Sequence, residues 1–233
     1  MEHGMRDWHL IRRSFSAERM QTYEAAAARD TTCIHPFELY QWNMQISGAF
    51  MLPLHTCEIV IRNAVAEAIA LRHGPAWPWR ESFRLSLPSS VHGYNAREEL
   101  RRAASGCCST AGVVAALRFA FWQQMFTQRF DKSLWSGTLQ SVLPGSQGEA
   151  HRTRAGAYAD LERVRQLRNR IAHHEPIFAR DLREDLTTIT RLVGLRCPHI
   201  GTWMQDHQSV TSVLSQRPDR TTPPAASPCP SAG

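Results

Sequence analysis

Residues 165–177 read Arg165-Gln166-Leu167-Arg168-Asn169-Arg170-Ile171-Ala172-His173-His174-Glu175-Pro176-Ile177, and this stretch decides how the rest of the chain is read. Arg165, Arg168, Arg170, Asn169 and the adjacent pair His173-His174 crowd in just ahead of a proline. Folding alone does not require that chemistry. Leu161, Val164, Leu167 and Ile171 recur at helical spacing and supply a buried stripe. Asn169 and His173 fall one turn apart on another face, with Arg165 beside them and Arg168 at the border with the core. A residue before proline is driven out of the helical region, so the helix is expected to end near His174 or Glu175. Carbonyl ends point outward at such a terminus and favour a cation. Histidine is the side chain that ordinarily titrates near neutrality.

Outward from this stretch the chain reads as helix after helix. Ser16 is placed to cap a helix running to Arg29, with Met20, Tyr23 and Ala27 on one side. Residues 30–35 connect to a helix that Pro36 opens, with Phe37, Leu39, Trp42, Ile46, Ala49 and Phe50 apolar; Pro53 is expected to end or kink it. From Leu54 a further helix carries Ile59, Ile61, Val65, Ile69 and Leu71 to a stop at Gly74-Pro75. Residues 75–93 read as an irregular loop anchored by Trp77, Trp79 and Phe83. Asn95 caps a short charged helix over 96–103, and residues 105–110 form a turn holding Cys107 and Cys108. Apolar helix follows over 111–126, then 132–142, the motif helix over 152–174, and two closing helices over 181–195 and 202–214. No stretch alternates as a strand. The expected organisation is a polar segment 1–14, one helical domain 15–216 and a disordered Pro/Ser-rich tail 217–233.

At 233 residues and 42% hydrophobic, the chain can bury a substantial core. A formal charge of +6 and a pI of 9.3 suit a polyanionic partner without demanding one. No run reaches roughly 18 apolar residues, so no membrane span is expected, and the polar start is no secretory signal. Cys33, Cys57, Cys107, Cys108, Cys197 and Cys229 contain no Cys-x-x-Cys pair. They fit reduced thiols in a cytoplasmic protein better than a disulfide frame or a zinc site. Neighbouring helical residues point about 100° apart, so His173 and His174 do not chelate one ion. His-Glu-x-x-His, phosphate-loop, dinucleotide and Gly-x-Ser-x-Gly signatures are absent. No metal and no cofactor are expected.

The pattern Arg168-Asn169-Arg170-Ile171-Ala172-His173 resembles the Arg-Asn-x-x-x-His active-site motif of the HEPN superfamily of helical ribonucleases. The longer string RNRIAHHEPI, residues 168–177, looks like the Abi-like (abortive infection) branch of that superfamily. Glu58, Arg62 and Asn63 match the Glu-x-x-x-Arg-Asn pattern of an early helix in that branch. Phe119-Ala120-Phe121-Trp122 resembles its Phe-Gly-Phe-Trp-like stretch, with Ala120 in place of the small glycine. Residues 131–135 and 177–182 are similar too, and the resemblance runs from Phe15 to Pro218. It implies an all-α, HEPN-like helical bundle and a metal-independent RNA endonuclease that leaves a 2′,3′-cyclic phosphate. It also implies a homodimer in which two motif helices form a composite site. The associated role is abortive infection, phage defence or toxin action, with a protein or RNA antitoxin as a further partner.

The residue types suit that chemistry. RNA carries its own nucleophile, the 2′-hydroxyl, and needs a proton acceptor, a proton donor and a clamp for the charged phosphate. His173 is the expected acid/base, Arg168 the phosphate clamp and Asn169 the positioning group. His174, nearer the apolar flank, is expected to be a packed histidine, to support the site from behind or to serve as the alternate acid/base. Arg165 and Arg170 are read as RNA-backbone contacts or solvated charge. Glu58 and Arg62, four residues apart, either pair with each other or support the site from a neighbouring helix. Plainer readings stand beside these: Arg168 bridged to Glu58 or Glu162, and His173 bonded to a terminal carbonyl. The rival function is a non-catalytic HEPN-like module that binds RNA or a protein.

Overall fold

The computed structural model describes residues 8–29, 34–90 and 93–218. The chain opens with α1 (Trp8–Phe15), α2 (Ala17–Arg29), α3 (Pro36–Ala49) and α4 (Met51–His73). Then come α5 (Glu81–Ser86), α6 (Ala96–Gly106), α7 (Thr110–Ala116), α8 (Phe119–Gln124), α9 (Leu139–Val142) and the long α10 (Ala150–Ala172). α11 (Leu182–Arg196), α12 (Pro198–His207) and α13 (Val210–Ser215) follow, and no strand occurs among the described residues. The fold class is all-α. Residues 1–7 and 219–233, with most of the expected polar segment's start and disordered tail, lie outside the described residues, as do Cys33 and Cys229. From Trp8 onward, the expected polar segment is helical.

The helices gather into two compact units. One comprises residues up to Phe50, Pro176–Ala179 and the chain from Ser209; the other comprises Met51–Glu175 and Arg180–Gln208. In the first, Ser16 adopts a left-handed backbone (φ 74) and its hydroxyl accepts the Arg19 N–H, which starts α2. Met20 and Tyr23 are buried, as the spacing predicts. The Trp42 indole donates to the Val213 carbonyl at 2.8 Å, tying α3 to α13. Buried Asn43 accepts the N–H groups of Ile177 and Phe178 at 2.8 and 3.2 Å, so a polar core residue satisfies two backbone donors at once.

In the second unit α11 packs against α4, α10 and α12, while α8 lies against α4 and α10. Leu182, Leu186, Ile189, Leu192 and Val193 of α11 are buried, together with Leu161, Val164 and Leu167 of α10. An aromatic cluster completes this core: Trp77 meets Phe83 and Trp122 edge-on, and Phe121 meets Trp122 at 5.0 Å. The expected aromatic anchors are therefore core residues, except Trp79, which is exposed and donates to the Ala104 carbonyl.

Several expected boundaries move, each for a local reason. Pro53 does not end a helix; the break falls at Phe50, and Pro53 sits in the first turn of α4, where its missing N–H has no partner to lose. Leu71 is exposed rather than buried. Residues 75–93 are not wholly irregular, since they contain a 3-10 turn at Trp77–Trp79 and α5. The apolar helix expected over 111–126 is cut at Leu117-Arg118. There the Glu99 carboxylate from α6 takes the Arg118 backbone N–H at 2.7 Å and its guanidinium at 3.0 Å, capping α8 from another helix. The expected 132–142 helix is a π turn, Asp131–Trp135, and α9, separated at Gly137, whose φ of 82 no helix accommodates. The single closing helix expected over 202–214 is two, α12 and α13, one in each unit.

Residues Pro36–His73 form one stretch long and apolar enough to cross a membrane by length and composition alone. Its apolarity coincides with core positions such as Cys57, Ile61, Ala64, Val65, Ala68 and Ile69. Burial pushes the Cys57 thiol up to about 12.

Candidate functional site

α10 carries the motif, and three anchors fix it. Near its start Arg154, itself buried, donates to Asp131 at 2.6 Å and to the Phe126 carbonyl at 2.9 Å. Midway, Arg163 donates to the Asp185 carboxylate at 2.6 Å, and Arg180 contacts the same carboxylate twice at 2.9 Å. Asp185 is only 1% exposed, so two guanidinium groups compensate one buried charge. One turn before the motif, Glu162 accepts from Arg165 at 2.6 and 3.0 Å, from Gln166 at 3.0 Å and from Gln123 of α8 at 2.7 Å. These donors, Arg165 first, hold its carboxyl down at about 2.

The helix ends at Ala172, with His173 as its cap, two to three residues before the expected stop at His174 or Glu175. His173 donates its backbone N–H to the Asn169 carbonyl at 2.9 Å. His174 then enters the left-handed region (φ 57), its N–H reaching the Ile171 carbonyl at 3.0 Å, while the Glu175 N–H reaches back to Arg170 at 2.8 Å. Those two bonds define a Schellman terminus with His174 in the place usually taken by glycine. A left-handed residue bearing a Cβ costs about 1–2 kcal/mol. The Arg170 and Glu175 side chains approach to 3.6 Å across the same turn.

The expected residues part into two groups. Arg168 is 47% exposed and lies 3.9 Å from Glu58 of α4, beyond hydrogen-bonding distance. Glu58 therefore faces Arg168 rather than Arg62, whose guanidinium turns to Asn63 at 3.5 Å. Arg165 is bound to Glu162, so it is no open cation, and Arg170 lies against Glu175. His173 and His174 are both exposed, which places His174 away from the apolar flank that the helical spacing assigned to it; Asn169 is half-buried. Ile171 is half-buried as well, at the edge of the stripe.

No family model, no curated protein and no solved structure matches the chain.

The site is thus defined by its own geometry. The sequence reading missed the anchoring roles of Asp185, Asp131 and Gln123. The Glu162–Arg165–Gln166 spacing, three and four residues apart on one helix, was a visible signal for the local half of the Glu162 network. Gln123 gave none, since nothing in a sequence marks which side chain of a neighbouring helix reaches across. Cys57, Cys107, Cys108 and Cys197 are free thiols. Among the described residues no group of three or more His, Cys, Asp or Glu side chains is gathered to hold a metal ion.

Proposed function

We propose that the chain is a metal-independent endoribonuclease of the HEPN, Abi-like kind, acting in the cytoplasm as an abortive-infection effector or toxin. The observation that carries this reading is the contrast along α10. Arg165 and Arg163 are locked onto carboxylates at 2.6 Å, whereas the motif's Arg168 stays exposed with its nearest carboxylate at 3.9 Å, and His173 is exposed at the end of the same helix. A guanidinium oriented but not neutralised by Glu58 is suited to clamp a phosphate.

Cleavage proceeds by transfer of the 2′-hydroxyl proton to an imidazole and attack of the 2′-oxygen on phosphorus. The bond to the 5′-oxygen breaks, that oxygen takes a proton, and a 2′,3′-cyclic phosphate and a 5′-hydroxyl remain. Arg168 stabilises the charge on the non-bridging oxygens and Asn169 orients the imidazole or the phosphate. Five residues along a regular helix turn the side-chain direction by roughly 140° net. Arg168 and His173 of one helix thus diverge, which favours a homodimer whose two α10 ends share the scissile phosphate.

The test is cleavage of mixed cellular RNA in EDTA by wild type, Arg168→Ala and His173→Ala. Each substitution is expected to lower the rate by about 100-fold or more while shifting the melting temperature by less than about 2 °C, since Arg168 makes only an exposed, long ion pair. Equal degradation by all three points to a contaminant and overturns the reading. Wild-type binding of RNA without cleavage supports the non-catalytic module instead.

A further inference from the structure

We propose that the face built by α5 and α6 is a docking groove for single-stranded RNA, with the Trp79 ring as the plane on which a base stacks. This goes beyond the ribonuclease reading and holds whether or not the motif cleaves. Residues 76–129 hold seven arginines, no lysine and only three acids, all glutamates, so this segment carries four of the chain's six net positive charges. Those acids are committed: Glu81 to Arg84, Glu98 to Arg101 and Arg102, and Glu99 to Arg118. Arg80, Arg97 and Arg129 are left without an acidic partner among the described residues. Arg97 donates to the Leu85 and Leu87 carbonyls at 2.8 Å, and Arg129 to the Ser86 carbonyl at 3.0 Å. Backbone carbonyls at the end of α5 thus hold both guanidinium groups in place without cancelling their charge.

Shape and chemistry select the partner. Trp79, Arg84, Arg101 and Ser105 line one groove of about 430 Å³, room enough for a nucleotide. Trp79 is 46% exposed, and its indole N–H is already given to the Ala104 carbonyl at 3.0 Å. That bond pins the ring to α6, so what a partner meets is the open part of its π face. A fixed aromatic plane beside guanidinium groups suits a base stacked on the ring and a phosphate bonded next to it, the combination that holds single strands without reading their sequence. A duplex keeps its base faces stacked inside, and an acidic peptide brings carboxylates alone, so neither makes use of Trp79. The groove is also separate from the motif. α4 carries Glu58 opposite Arg168 and, near its other end, His73, whose ring packs 4.8 Å from that of Phe83 in α5. At about 1.5 Å of rise per residue, Glu58 and His73 lie about 22 Å apart along that helix.

The probe is a labelled, 2′-O-methylated oligouridine of about 12 nucleotides, which lacks the 2′ nucleophile and is not cut, so binding is read apart from cleavage. Fluorescence anisotropy gives Kd for wild type, Trp79→Ala, Trp79→Phe and the double variant Arg80→Gln/Arg129→Gln, with a melting curve for each to establish folding. Both Trp79 variants lose the bond to Ala104, and only Trp79→Phe keeps a ring, so the difference between them reports stacking. Trp79→Ala is expected to weaken binding by about 10-fold or more and Trp79→Phe by less than about threefold, while binding of the strand annealed to its complement is unchanged in both. Removing the two arginines is expected to lower the slope of log Kd against log salt by about 1.4. A Trp79→Ala protein that binds like wild type, or an equal loss in both Trp79 variants, overturns the proposal. So does polyglutamate that displaces the probe as well as unlabelled oligouridine does. A wild-type protein that binds the probe through Trp79 yet cuts no RNA supports this surface and overturns the ribonuclease reading alone; one that cuts RNA without binding the probe does the reverse.

Discussion

Glu162→Gln removes one charge from the network beneath the motif and changes almost nothing in shape. The wild-type carboxylate accepts four hydrogen bonds, from Arg165 twice, Gln166 and Gln123, and these donors lower its pKa from an ordinary 4.5 to about 2. At about 1.4 kcal/mol for each tenfold change in proton affinity, that depression corresponds to roughly 3 kcal/mol. Glu162 is 33% exposed, and screening by solvent reduces the figure to about 1 kcal/mol. The sign follows from linkage. A carboxyl whose folded pKa lies below its unfolded value stabilises the fold fully above pH 4.5 and loses that contribution as pH falls toward 2. Urea unfolding of wild type and Glu162→Gln is therefore expected to differ by about 1 kcal/mol at pH 7. The gap should narrow steadily as the pH is lowered toward about 3, because protonation does to wild type what the amide does to the variant. A gap that stays constant across this range, or a variant as stable as wild type at pH 7, refutes the assignment of Glu162 as an ionised hub.

Two further substitutions probe the scaffold. Asp185→Asn replaces a carboxylate 1% exposed by a neutral amide and leaves Arg163 and Arg180, 36% and 18% exposed, without their counter-charge; a loss of about 1–3 kcal/mol is expected in thermal or urea unfolding. Gly145→Ala would set a Cβ 2.4 Å from the Gly194 carbonyl oxygen and 3.1 Å from that of Leu195, both backbone atoms. Overpacking there is expected to destabilise by about 1–3 kcal/mol, read as a lowered urea midpoint.

The helical character and the motif helix were legible because their signals are local. Asn95 caps the helix it was placed to cap, accepting the N–H of Glu98, and α11 begins within one residue of its expected start. Leu161, Val164 and Leu167 are buried at the predicted spacing. The failures share a different origin. The cut at Arg118 depends on Glu99, nineteen residues earlier in the chain, and no window of sequence around Arg118 contains it. The division into two units likewise depends on which distant segments meet, as when Asn43 receives the N–H of Ile177. At the site, Arg165 and Arg168 look alike in sequence, and only the Glu162 network separates a committed cation from an exposed one. The left-handed turn at His174 was hidden for the opposite reason: its residue type argues against the conformation it adopts.

The anchoring pairs of α10 carry an electrostatic consequence. Arg154, Arg163, Arg165 and Arg170 each already face a carboxylate, Asp131, Asp185, Glu162 and Glu175 respectively. A nucleic acid strand approaching this helix meets little of the excess positive charge that the whole-chain total suggests. On the proposed ribonuclease reading, few open cations here would neutralise phosphates, so few of the counterions condensed on the strand would be released. Attachment proposed for this end of the helix would then rely on close, directional donors, and added salt is expected to weaken it far less than it weakens a grip by a row of open lysines.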